Sequence, residues 1–382
     1  MDLYAATQAF NEAATKAWTS CDTVDIPGCP GWAFNGPARP TEEFFVAISY
    51  DGREIALTHL SKEIMERLGM WQRISENEIY PLRDAKVWNG SSSYQLHFPQ
   101  PTQARGGATD RLGNLISNHN IRKAAYDAVA EQDNVTLLAG VGVKEARTDA
   151  DGAYITLDNG EQLTARLLVA ADSRFSQTRR QIGISADMHD FGRTVIVCRF
   201  KHEISNCHTA VEFFQYGRTL ALLPLEEHLT NCVITISNTK AHELLDLPPE
   251  QLAKEAQKML GGRLGEMEIA GTVHTYPLVG VHAAKFYGTR CALIGDAAVG
   301  MHPVTAHGYN LGLESTDILS RQILKADAAG KDIGSKDVLE VYNVQHQLHT
   351  RPLYHGTNAM VTFFTTEHAP VKLLRGAVLR VS

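Results

Sequence analysis

The chain has 382 residues, of which 44% are hydrophobic and 21% are charged. These proportions are typical of a globular protein with a large core, built as one large α/β domain or as two interlocked domains. The formal net charge of −7 at pH 7 argues against a nucleic-acid partner, because such partners are held by Lys and Arg contacts with phosphates.

The cysteines and the chain start indicate a cellular location. Six cysteines are scattered without a Cys-x-x-Cys or Cys/His spacing, so we expect free thiols in a reducing cytoplasm and no metal site. No uninterrupted apolar run reaches the length of a membrane span. The N-terminus has acidic residues early and no apolar core of a signal peptide, so a cytoplasmic location is predicted.

The first part of the chain begins irregularly. Residues 1–45 are rich in proline and glycine and show no sustained hydrophobic period. An apolar stripe from Leu60 to Leu68, closed by Gly69, predicts a helix. Alternating runs on either side of an Asn-Gly pair at residues 89–90 predict a β-hairpin.

The middle of the chain alternates between helical and strand patterns. Residues 119–132 predict a second helix, with Asn118 as its N-cap. Strands joined by Asp-Gly and Asn-Gly turns are predicted in residues 134–140, 141–160 and 161–172. A group of antiparallel strands follows in residues 194–203, 209–224 and 231–238.

Helices and one buried strand complete the pattern. Residues 248–261 predict a helix that begins with proline, and residues 288–298 predict a buried strand. A loop, a long helix and further helical segments follow. This order predicts an α/β domain interrupted by a β-rich insertion. Ligands in such folds lie at the carboxyl ends of the parallel strands.

The stretch at residues 293–324, LIGDAAVGMHPVTAHGYNLGLESTDILSRQIL, joins the buried strand to the long helix. Asp296 follows the strand, Pro303 fixes the turn, and Gly308 and Asn310 lie at the helix start. One carboxylate for a sugar hydroxyl and a helix N-terminus for negative charge suit a flavin with a ribityl chain. The alternative is a plain strand–turn–helix with a capping Asp, but the order of the whole stretch favours the flavin.

Three motifs together resemble those of class A flavoprotein monooxygenases, and look most like their ubiquinone-biosynthesis hydroxylase branch. They are LGNLISNHNIRKAAYDAV, LLVAADSRFSQTRRQIGI and GDAAVGMHPVTAHGYNLGL. The segments GREIALTHLSKEIMERLGMW, TAVEFFQYGRTLALLPL and RPLYHGTNAMVTFF also resemble that family. The resemblance covers residues 46–382.

The resemblance implies FAD as the cofactor and assigns residues to it. Arg53 and Arg122 are expected beside the flavin nucleotide, and Asp172 and Arg179 near the pyrophosphate and the nicotinamide route. The full set of expected FAD-binding residues is Arg53, Arg122, Asp172, Arg179, Asp296, Pro303, Gly308 and Asn310. The expected substrate-wall residues are Phe213, Phe214 and Leu222. No side chain is needed as a nucleophile, so no catalytic residue is predicted.

The resemblance also implies a domain organisation. An FAD-binding Rossmann-like domain is interrupted by a β-rich substrate domain. The FAD-binding domain, with the C-terminal helices, is expected in residues 46–79, 101–185 and 271–382, and the substrate domain in residues 80–100 and 186–270. Residues 1–45 are an aberrant N-terminal segment, so the first βαβ unit is expected to be incomplete.

The start of the chain departs from the family pattern. The family opens with a strand and Gly-x-Gly-x-x-Gly, with an acid about 20 residues further on, and residues 1–45 contain neither. An out-of-frame or mis-started translation is one explanation, favoured by the abrupt onset of family-like sequence near Phe44. A paralogue that has lost normal FAD binding is the other. Smaller departures are Val299 in place of His and Ser173 in place of Gly.

The implied activity is FAD-dependent hydroxylation of a polyprenylated phenol precursor of ubiquinone, using NAD(P)H and O₂ through a flavin hydroperoxide. One alternative is an inactive family member that binds a quinone-like lipid or acts as an assembly partner. Another is a flavin enzyme of the same superfold, such as a prenyl reductase or a hydroxylase of soluble phenols. A basic stripe of Lys372, Arg375 and Arg380 is also compatible with a peripheral contact with an anionic membrane.

Overall fold

The computed structural model describes residues 50–90, 95–104, 107–215, 217–303 and 306–365. The predictions for residues 1–45 and for the basic stripe at residues 372–380 lie outside these ranges. Within them the chain combines helices with several sheets, so the predicted α/β class is confirmed. No helix in this part of the chain is long and apolar enough to cross a membrane.

The first described segment contains short strands and two helices. In chain order they are β1 (Glu54–Leu57), α1 (His59–Arg67), β2 (Tyr80–Leu82), β3 (Asp84–Asn89), β4 (Gln95–Phe98), β5 (Gln103–Ala104), β6 (Gly107–Ala108), β7 (Gly113–Ser117) and α2 (Asn118–Ala130). The predicted first helix and hairpin are confirmed as α1 and as β3 paired with β4. The N-cap of α2 is Ser117, which accepts a hydrogen bond from the Asn120 N–H, and not Asn118 as predicted. Both residue types cap helices well, and here the extended backbone ends at Ser117.

The second segment is an antiparallel sheet followed by a strand and a short helix. Its elements are β8 (Val143–Thr148), β9 (Ala153–Leu157), β10 (Gln162–Ala165), β11 (Leu168–Ala170) and α3 (Gln177–Gln181). β9 pairs with both β8 and β10, as the turn signals predicted. The strand predicted at residues 134–140 is wrong, because these residues form no strand. An apolar run becomes a strand only beside a partner, and no described strand pairs with it.

The third segment contains the predicted antiparallel strands. Its elements are β12 (Ala186–His202), β13 (Thr209–Gln215), β14 (Arg218–Pro224), β15 (Leu229–Ser237), α4 (Asn238–Leu245), α5 (Pro249–Met259), β16 (Met267–Ile269) and β17 (His274–Ala283). α5 begins with proline at its first position, as predicted, where the missing N–H costs no hydrogen bond.

The last segment contains the buried strand and two long helices. Its elements are β18 (Tyr287–Gly288), β19 (Cys291–Leu293), α6 (Gly295–Ala298), β20 (Val299–Gly300), α7 (Gly308–Ala328) and α8 (Lys336–Thr365). β19 is fully buried and parallel to β11, so the predicted strand is confirmed. β19 packs in one hydrophobic core with α7 and α8.

The largest sheet has nine strands in the order β20-β17-β12-β15-β14-β13-β3-β4, with β16 paired to β12. β3 and β4 come from the earlier of the two predicted substrate-domain segments. The boundary predicted at residue 271 separates β17 and β20 from this sheet, to which they are hydrogen-bonded. The division of the chain into two domains stays a prediction.

The two faces of this sheet differ. One is covered by α4 and α5, and we call it the helix-covered face; its residues include Ile196, Phe200, Phe213, Leu220, Leu222 and Ile234. We call the opposite face the inner face; it carries Val195, Val197, Arg199, Glu212, Phe214, Asn231, Val233 and Tyr276. Side chains alternate along a strand, so Phe213 and Phe214 lie on opposite faces.

Candidate functional site

Two parallel strands end side by side, and each is followed by an aspartate. β11 pairs with β19, with Ala170 opposite Leu293. Asp172 comes just after β11, and Asp296 comes just after β19. The carboxyl ends of parallel strands meet at one edge of a sheet, where ligands commonly bind. Both predicted aspartates therefore lie at the same edge.

Asp172 holds the first turn of α3. One of its carboxylate oxygens accepts a hydrogen bond from the Thr178 N–H at 3.0 Å, and the other accepts one from the Ser176 hydroxyl. Ser176 is itself the N-cap and accepts from the Arg179 N–H at 2.9 Å. A negative charge at this end of the helix is stabilising, because the unpaired N–H groups there are partly positive.

Arg179 lies inside the protein, with 2% of its surface exposed. Its guanidinium donates to the Ala297 carbonyl at 2.9 Å and to the Arg174 carbonyl at 3.2 Å. Burial lowers the pKa of Arg179, and the nearby Asp172 carboxylate opposes this shift. Arg179 therefore ties α3 to the turn after β19, and so brings Asp172 close to Asp296.

Arg174 orients Asp296. Its Nε and Nη2 donate to the same carboxylate oxygen of Asp296 at 3.2 and 2.9 Å, and its Nη1 donates to the Val279 carbonyl of β17 at 3.0 Å. The two side chains are 26% and 23% exposed. The aspartate is thus fixed in direction by a partly exposed ion pair and remains accessible to a ligand hydroxyl.

The start of α7 is open as far as the described residues show. Among them, His307 before the helix makes no side-chain capping hydrogen bond, and a Cβ on Gly308 would meet no atom within 4 Å. Accessible N–H groups at a helix N-terminus fit an anionic or electron-rich ligand. Pro303 is exposed ahead of the helix, and its carbonyl accepts from the Ala306 N–H at 2.9 Å.

Asn310 joins α7 to the first described strand. Its side-chain oxygen accepts from the Thr58 N–H at 3.0 Å and from the Ser61 hydroxyl at 2.6 Å. Its side-chain nitrogen donates to the carbonyls of Ala56 and Ala306, both at 2.8 Å. These four bonds use the amide fully. Asn310 therefore sets the position of the helix start against β1 and α1.

The loop before α7 contacts the inner face of the sheet. The ring of His302 lies 5.2 Å from that of Phe191 in β12, at an interplanar angle of 81°. Phe191 packs in turn against Val195 and Val197. His302 is 2% exposed, and burial lowers its pKa to about 4, so it is neutral at physiological pH. The loop before α7 thus contacts an apolar part of the inner face.

A second charged cluster lies just before β1. Arg53 binds the Asp51 carboxylate through Nε at 3.0 Å and through Nη2, and the Asn118 amide donates to the same oxygen at 2.7 Å. Burial acts to raise the pKa of Asp51, but Arg53 and Asn118 outweigh it and hold that pKa below its ordinary value. Arg122 of α2 interacts with the same carboxylate, and burial lowers its pKa. Two guanidinium groups and one carboxylate are therefore brought together just before β1.

The residues ahead of β1 also bind the inner face. Asn231 donates to the Gly52 carbonyl at 2.6 Å, and the Tyr276 hydroxyl donates to the Asp51 carbonyl at 2.5 Å. Gly52 has a φ of 73°, and a Cβ there would lie 2.4 Å from the His274 ring. Only glycine fits so close an approach. The inner face and the chain before β1 are therefore one continuous structure.

Glu54 and Arg199 form an ion pair across the same joint. The guanidinium donates to one Glu54 oxygen from Nη2 at 2.5 Å and from Nε at 3.1 Å. The Glu54 side chain is 0% exposed and that of Arg199 is 25% exposed. Burial raises the pKa of Glu54, although Arg199 acts to lower it. The pair fixes β1 to β12 of the sheet.

The three predicted substrate-wall residues are divided between the two faces. Phe213 and Leu222 are 3% and 5% exposed, and both pack in the core of the helix-covered face. Phe214 lies on the inner face against Val87 and the end of α8. Only Phe214 therefore shares a face with Arg199 and the other residues that bind the cluster before β1. The substrate role of all three stays a prediction.

The predicted cofactor residues come together in two groups. Arg53 and Arg122 meet at Asp51. Asp172, Arg179 and Asp296 meet at the ends of β11 and β19. Asn310 connects the helix that follows the second group to the strand that follows the first.

A family model described as the FAD binding domain matches residues 48–350 of the chain. This range covers well over half of the sequence and begins just after the irregular N-terminal segment. The chain belongs to the FAD-binding-domain family. FAD is therefore its cofactor, and the two groups of residues at the strand ends and before β1 are the candidate cofactor site.

Members of this family resemble the chain closely in sequence or in fold. Ubiquinone hydroxylase UbiM of Neisseria meningitidis serogroup C is 65% identical over 331 residues, which cover 87% of this chain and 72% of that protein. Ubiquinone hydroxylase UbiL of Rhodospirillum rubrum is 33% identical over 343 residues, covering 89% and 79%. The structure of p-nitrophenol 4-monooxygenase PnpA from Pseudomonas putida DLL-E4 superposes with a TM-score of 0.69 at 17% identity, covering 87% and 84%. That last likeness shows the fold alone.

Several residues of this candidate site were not predicted from the sequence. They are Asp51, Glu54, Arg174, Arg199 and Tyr276. Arg174 follows Asp172 by two positions in Asp-Ser-Arg, and a charged residue directly behind a predicted strand end was a usable signal. The other four are ordinary strand or loop residues in sequence, because their partners come from distant segments.

Proposed function

We propose that the chain is an FAD-dependent hydroxylase that transfers one oxygen atom of O₂ to the ring of a polyprenylated phenol precursor of ubiquinone. NAD(P)H is the reductant. The names of the relatives UbiM and UbiL support this substrate class, and identity of 65% over 87% of the chain supports a shared reaction. The family's FAD-binding domain supplies the cofactor site.

The observation that supports the proposal is the contact between the loop before α7 and the inner face. The contact between His302 and Phe191 holds the two together, beside the apolar Val195 and Val197. A ring bound between a flavin at α7 and this apolar surface is shielded from water. Sites of this kind are largely apolar with a few directed polar groups.

Three features of the site fit three parts of FAD. The two guanidinium groups of Arg53 and Arg122 suit the pyrophosphate. Asp296, oriented by Arg174 and partly exposed, suits a hydroxyl of the ribityl chain. The open N-terminus at Gly308 suits the electron-rich end of the flavin ring.

The protein's own groups orient the reactants and exclude water. When bound, FAD supplies the redox chemistry, which no side chain of the site can perform. The α7 N-terminus stabilises negative charge on a reduced cofactor, and the apolar inner face keeps water from the ring. Arg179 and Asn310 are positioning residues, since one is buried and the other has its amide fully bonded.

Product analysis with isotopically heavy O₂ tests the proposal. The full chain receives excess FAD, NADH or NADPH, and a phenol that carries a short isoprenoid chain. We expect a product with one added heavy oxygen atom in the ring, detected by mass spectrometry. A chain that binds FAD, as seen by its flavin absorbance, but yields no such product from prenylated or soluble phenols contradicts the proposal. That outcome would favour an inactive, lipid-binding family member.

Gly308→Val and Gly356→Val form a matched pair for this test. A Cβ at either position would meet no atom within 4 Å, so both variants should fold. The side chain at Gly308 projects into the space assigned to FAD, whereas Gly356 lies on the exposed side of α8. We expect lost FAD binding and hydroxylation only in Gly308→Val.

A further inference from the structure

One carboxyl interrupts the apolar surface of the inner face. Glu212 lies in the middle of β13, opposite Ala221 of β14 and Val87 of β3. Ala221 is in turn opposite Val233 of β15. Directly paired residues point to the same side of a sheet, so this row holds one acid among three apolar residues.

β13 is held on both sides by its neighbours β14 and β3, which fixes the backbone of Glu212. The Thr219 hydroxyl of β14 hydrogen-bonds the carboxyl. Phe214, two positions along the same inner face, packs against Phe363 at the end of α8. The carboxyl is therefore a rigidly positioned polar group in a mostly apolar surface.

The groups that face Glu212 from the packed elements are uncharged. β3 contributes Val87, β14 contributes Thr219, and α8 contributes apolar residues beside Phe214. The titratable group on β15 that senses Glu212 is the Cys232 thiol, whose own pKa burial raises well above its usual range. Within the described part of the chain, no charged residue shifts the ionisation of Glu212.

Burial raises the pKa of Glu212 to about 8. The residue nevertheless keeps a partly accessible surface, whereas Phe213 and Phe214 on either side are buried. Such a carboxyl without an ion-pair partner costs free energy in the folded protein, and groups of this kind cluster at functional sites.

We propose that Glu212 binds the hydroxyl of the substrate's aromatic ring and accepts its proton during hydroxylation. This assignment rests on the proposed function and deepens it. Oxygenation of a phenol ring needs electron density from the phenolic oxygen, and removal of the hydroxyl proton increases that density. Glu212 lies on the inner face, in the same row of paired residues as Ala221, Val233 and Val197, and this is the surface against which the ring is proposed to bind.

The step balances in protons and electrons. The phenolic O–H bond breaks, the proton bonds to a carboxylate oxygen of Glu212, and the electron pair stays on the phenolic oxygen. One oxygen atom of O₂ bonds to a ring carbon, and the other leaves as water with the two electrons that NAD(P)H supplies. The ring carbon then loses its own proton to solvent. Glu212 then returns its proton to the first oxygen. The carboxyl is neither oxidised nor reduced, and NAD(P)H remains the reductant.

Four chains test the assignment: wild type, Glu212→Gln, Glu212→Asp and, as a control on the exposed surface of α4, Glu243→Gln. Calorimetry measures the binding of ortho-geranylphenol and of its methyl ether, which lacks the hydroxyl proton. Hydroxylation rates are then measured with excess FAD across neutral and mildly alkaline pH. Thermal unfolding checks that each variant is folded.

In the wild type the rate should rise about tenfold per pH unit below the pKa of about 8 and then level off. Glu212→Gln should show no such rise and a plateau rate lower by about 100-fold. Glu212→Asp should keep the rise, and Glu243→Gln should match the wild type. Wild type should bind the phenol about tenfold more tightly than the ether, and Glu212→Gln should bind both alike.

A Glu212→Gln chain with the wild-type pH profile and the wild-type preference for the phenol would overturn the assignment and leave the hydroxylase intact. If the wild type prefers the phenol, Glu212→Gln does not, and the wild type forms no product, the binding role is supported and the proposed function is refuted. If Glu212→Gln does not fold, the wild type and Glu212→Asp decide: equal binding of phenol and ether by both overturns the assignment.

Discussion

The helix-covered face and the inner face of the nine-stranded sheet belong to the same strands but differ in chemistry. The helix-covered face is apolar and is sealed by α4 and α5. The inner face carries Arg199, Glu212 and Asn231 among its valines, and two of these polar groups bind the chain around β1. The helix-covered face forms part of a hydrophobic core, and the inner face borders the candidate site.

Because side chains alternate between the two faces along a strand, adjacent residues have different roles. One contributes to the stability of the core, and the next lies on the face proposed to bind ligands. Each apolar side chain on the helix-covered face contributes about 25 cal/mol for every Å² it removes from water. Polar groups on the inner face cost free energy unless a protein group or a ligand pairs with them. Substitutions at neighbouring residues should therefore have effects of different kinds.

The largest effect on stability is expected at Phe213. Its ring lies 5.5 Å from that of Trp88 and 5.4 Å from the Arg263 guanidinium, within the helix-covered core. Phe213→Ala should lower the free energy of unfolding by up to about 5 kcal/mol, from lost burial and a new cavity. Denaturant unfolding measures this loss, and calorimetry should find the phenol affinity of the folded protein unchanged.

Phe214→Ala is the matched variant on the inner face. Its smaller cluster predicts a smaller loss of stability, but its position beside Glu212 predicts weaker phenol binding. Equal phenol affinities in the two variants, or weaker binding in Phe213→Ala, would refute the separation of the faces.

The next effect concerns FAD, whose proposed site borders the inner face. Residues 1–45 lack Gly-x-Gly-x-x-Gly, and hence the backbone N–H groups that such a loop directs at the pyrophosphate. Compared with a chain that has this loop, the loss of three such contacts at about 1.4 kcal/mol each weakens FAD binding about a thousandfold. We expect a dissociation constant above the micromolar range when flavin fluorescence is followed during titration.

Asp296→Asn should weaken FAD binding about tenfold further, because the ion-paired carboxylate is an expected ligand of the ribityl chain. Phe213→Leu on the helix-covered face should leave FAD affinity unchanged. Stoichiometric sub-micromolar binding by the wild type would contradict the expectation and show that another segment supplies the anchor.

A smaller effect is expected from Arg199→Met, which leaves the buried Glu54 without its counter-charge. The free energy of unfolding should fall by roughly 3 kcal/mol near neutral pH. The folded pKa of Glu54 is already raised by burial, and losing Arg199 raises it further. The pKa of such a carboxyl is higher in the folded protein than its value of about 4.3 in the unfolded chain, so the group contributes stability to the folded protein at pH values below about 4.3. This contribution is lost as the pH rises through the pKa of the folded state. The deficit should therefore shrink in acid.

Arg147→Met is the control for this ion pair. Arg147 pairs with Asp149 at 2.8 Å, but its side chain is 59% exposed. Its removal should change the free energy of unfolding by less than about 1 kcal/mol at any pH. A deficit in Arg199→Met that stays constant from acid to neutral pH would show that the lost contact is packing and not charge.

The strand-end residues of the site were predictable because their signals are local. Asp172 and Asp296 each follow a short apolar run, and Gly308 opens a helix whose period is clear in the sequence. The same local signals gave the proline-led α5 and the buried β19. Such patterns depend on a few neighbouring residues, so one sequence suffices to find them.

The inner face was not predictable, because it is assembled from distant segments. Glu54 and Arg199 are 145 positions apart, and Thr58 and Asn310 are 252 apart. Phe213 and Phe214 were both expected in the substrate wall, although alternation along β13 points them to opposite faces. Local pattern also could not say which face the helices cover. For the same reason Glu212 had no sequence signal beyond being an acid in an apolar strand. The wrong strand at residues 134–140 failed for want of a partner, which local pattern does not reveal.

β12 is paired differently along its 17 residues: its beginning pairs with β17, and from Thr194 to Val197 it lies between β17 and β15. Its later half pairs with β15, with Thr194 opposite Ile236, whereas its beginning pairs with β17, with Ala186 opposite Ala283. During synthesis on the ribosome, the later half of β12 can pair with β15 once roughly 40 further residues have been added. The beginning of β12 can pair with β17 only after nearly 100 further residues, which take about 5–20 s to synthesise at ordinary translation rates.

During that delay the beginning of β12 offers free backbone groups to any neighbouring nascent chain, which is how sheet edges start aggregation. Codon choice between β12 and β17 thus controls how long this edge stays open. Slow codons there would lower the yield of soluble chain without altering a single residue of the finished protein.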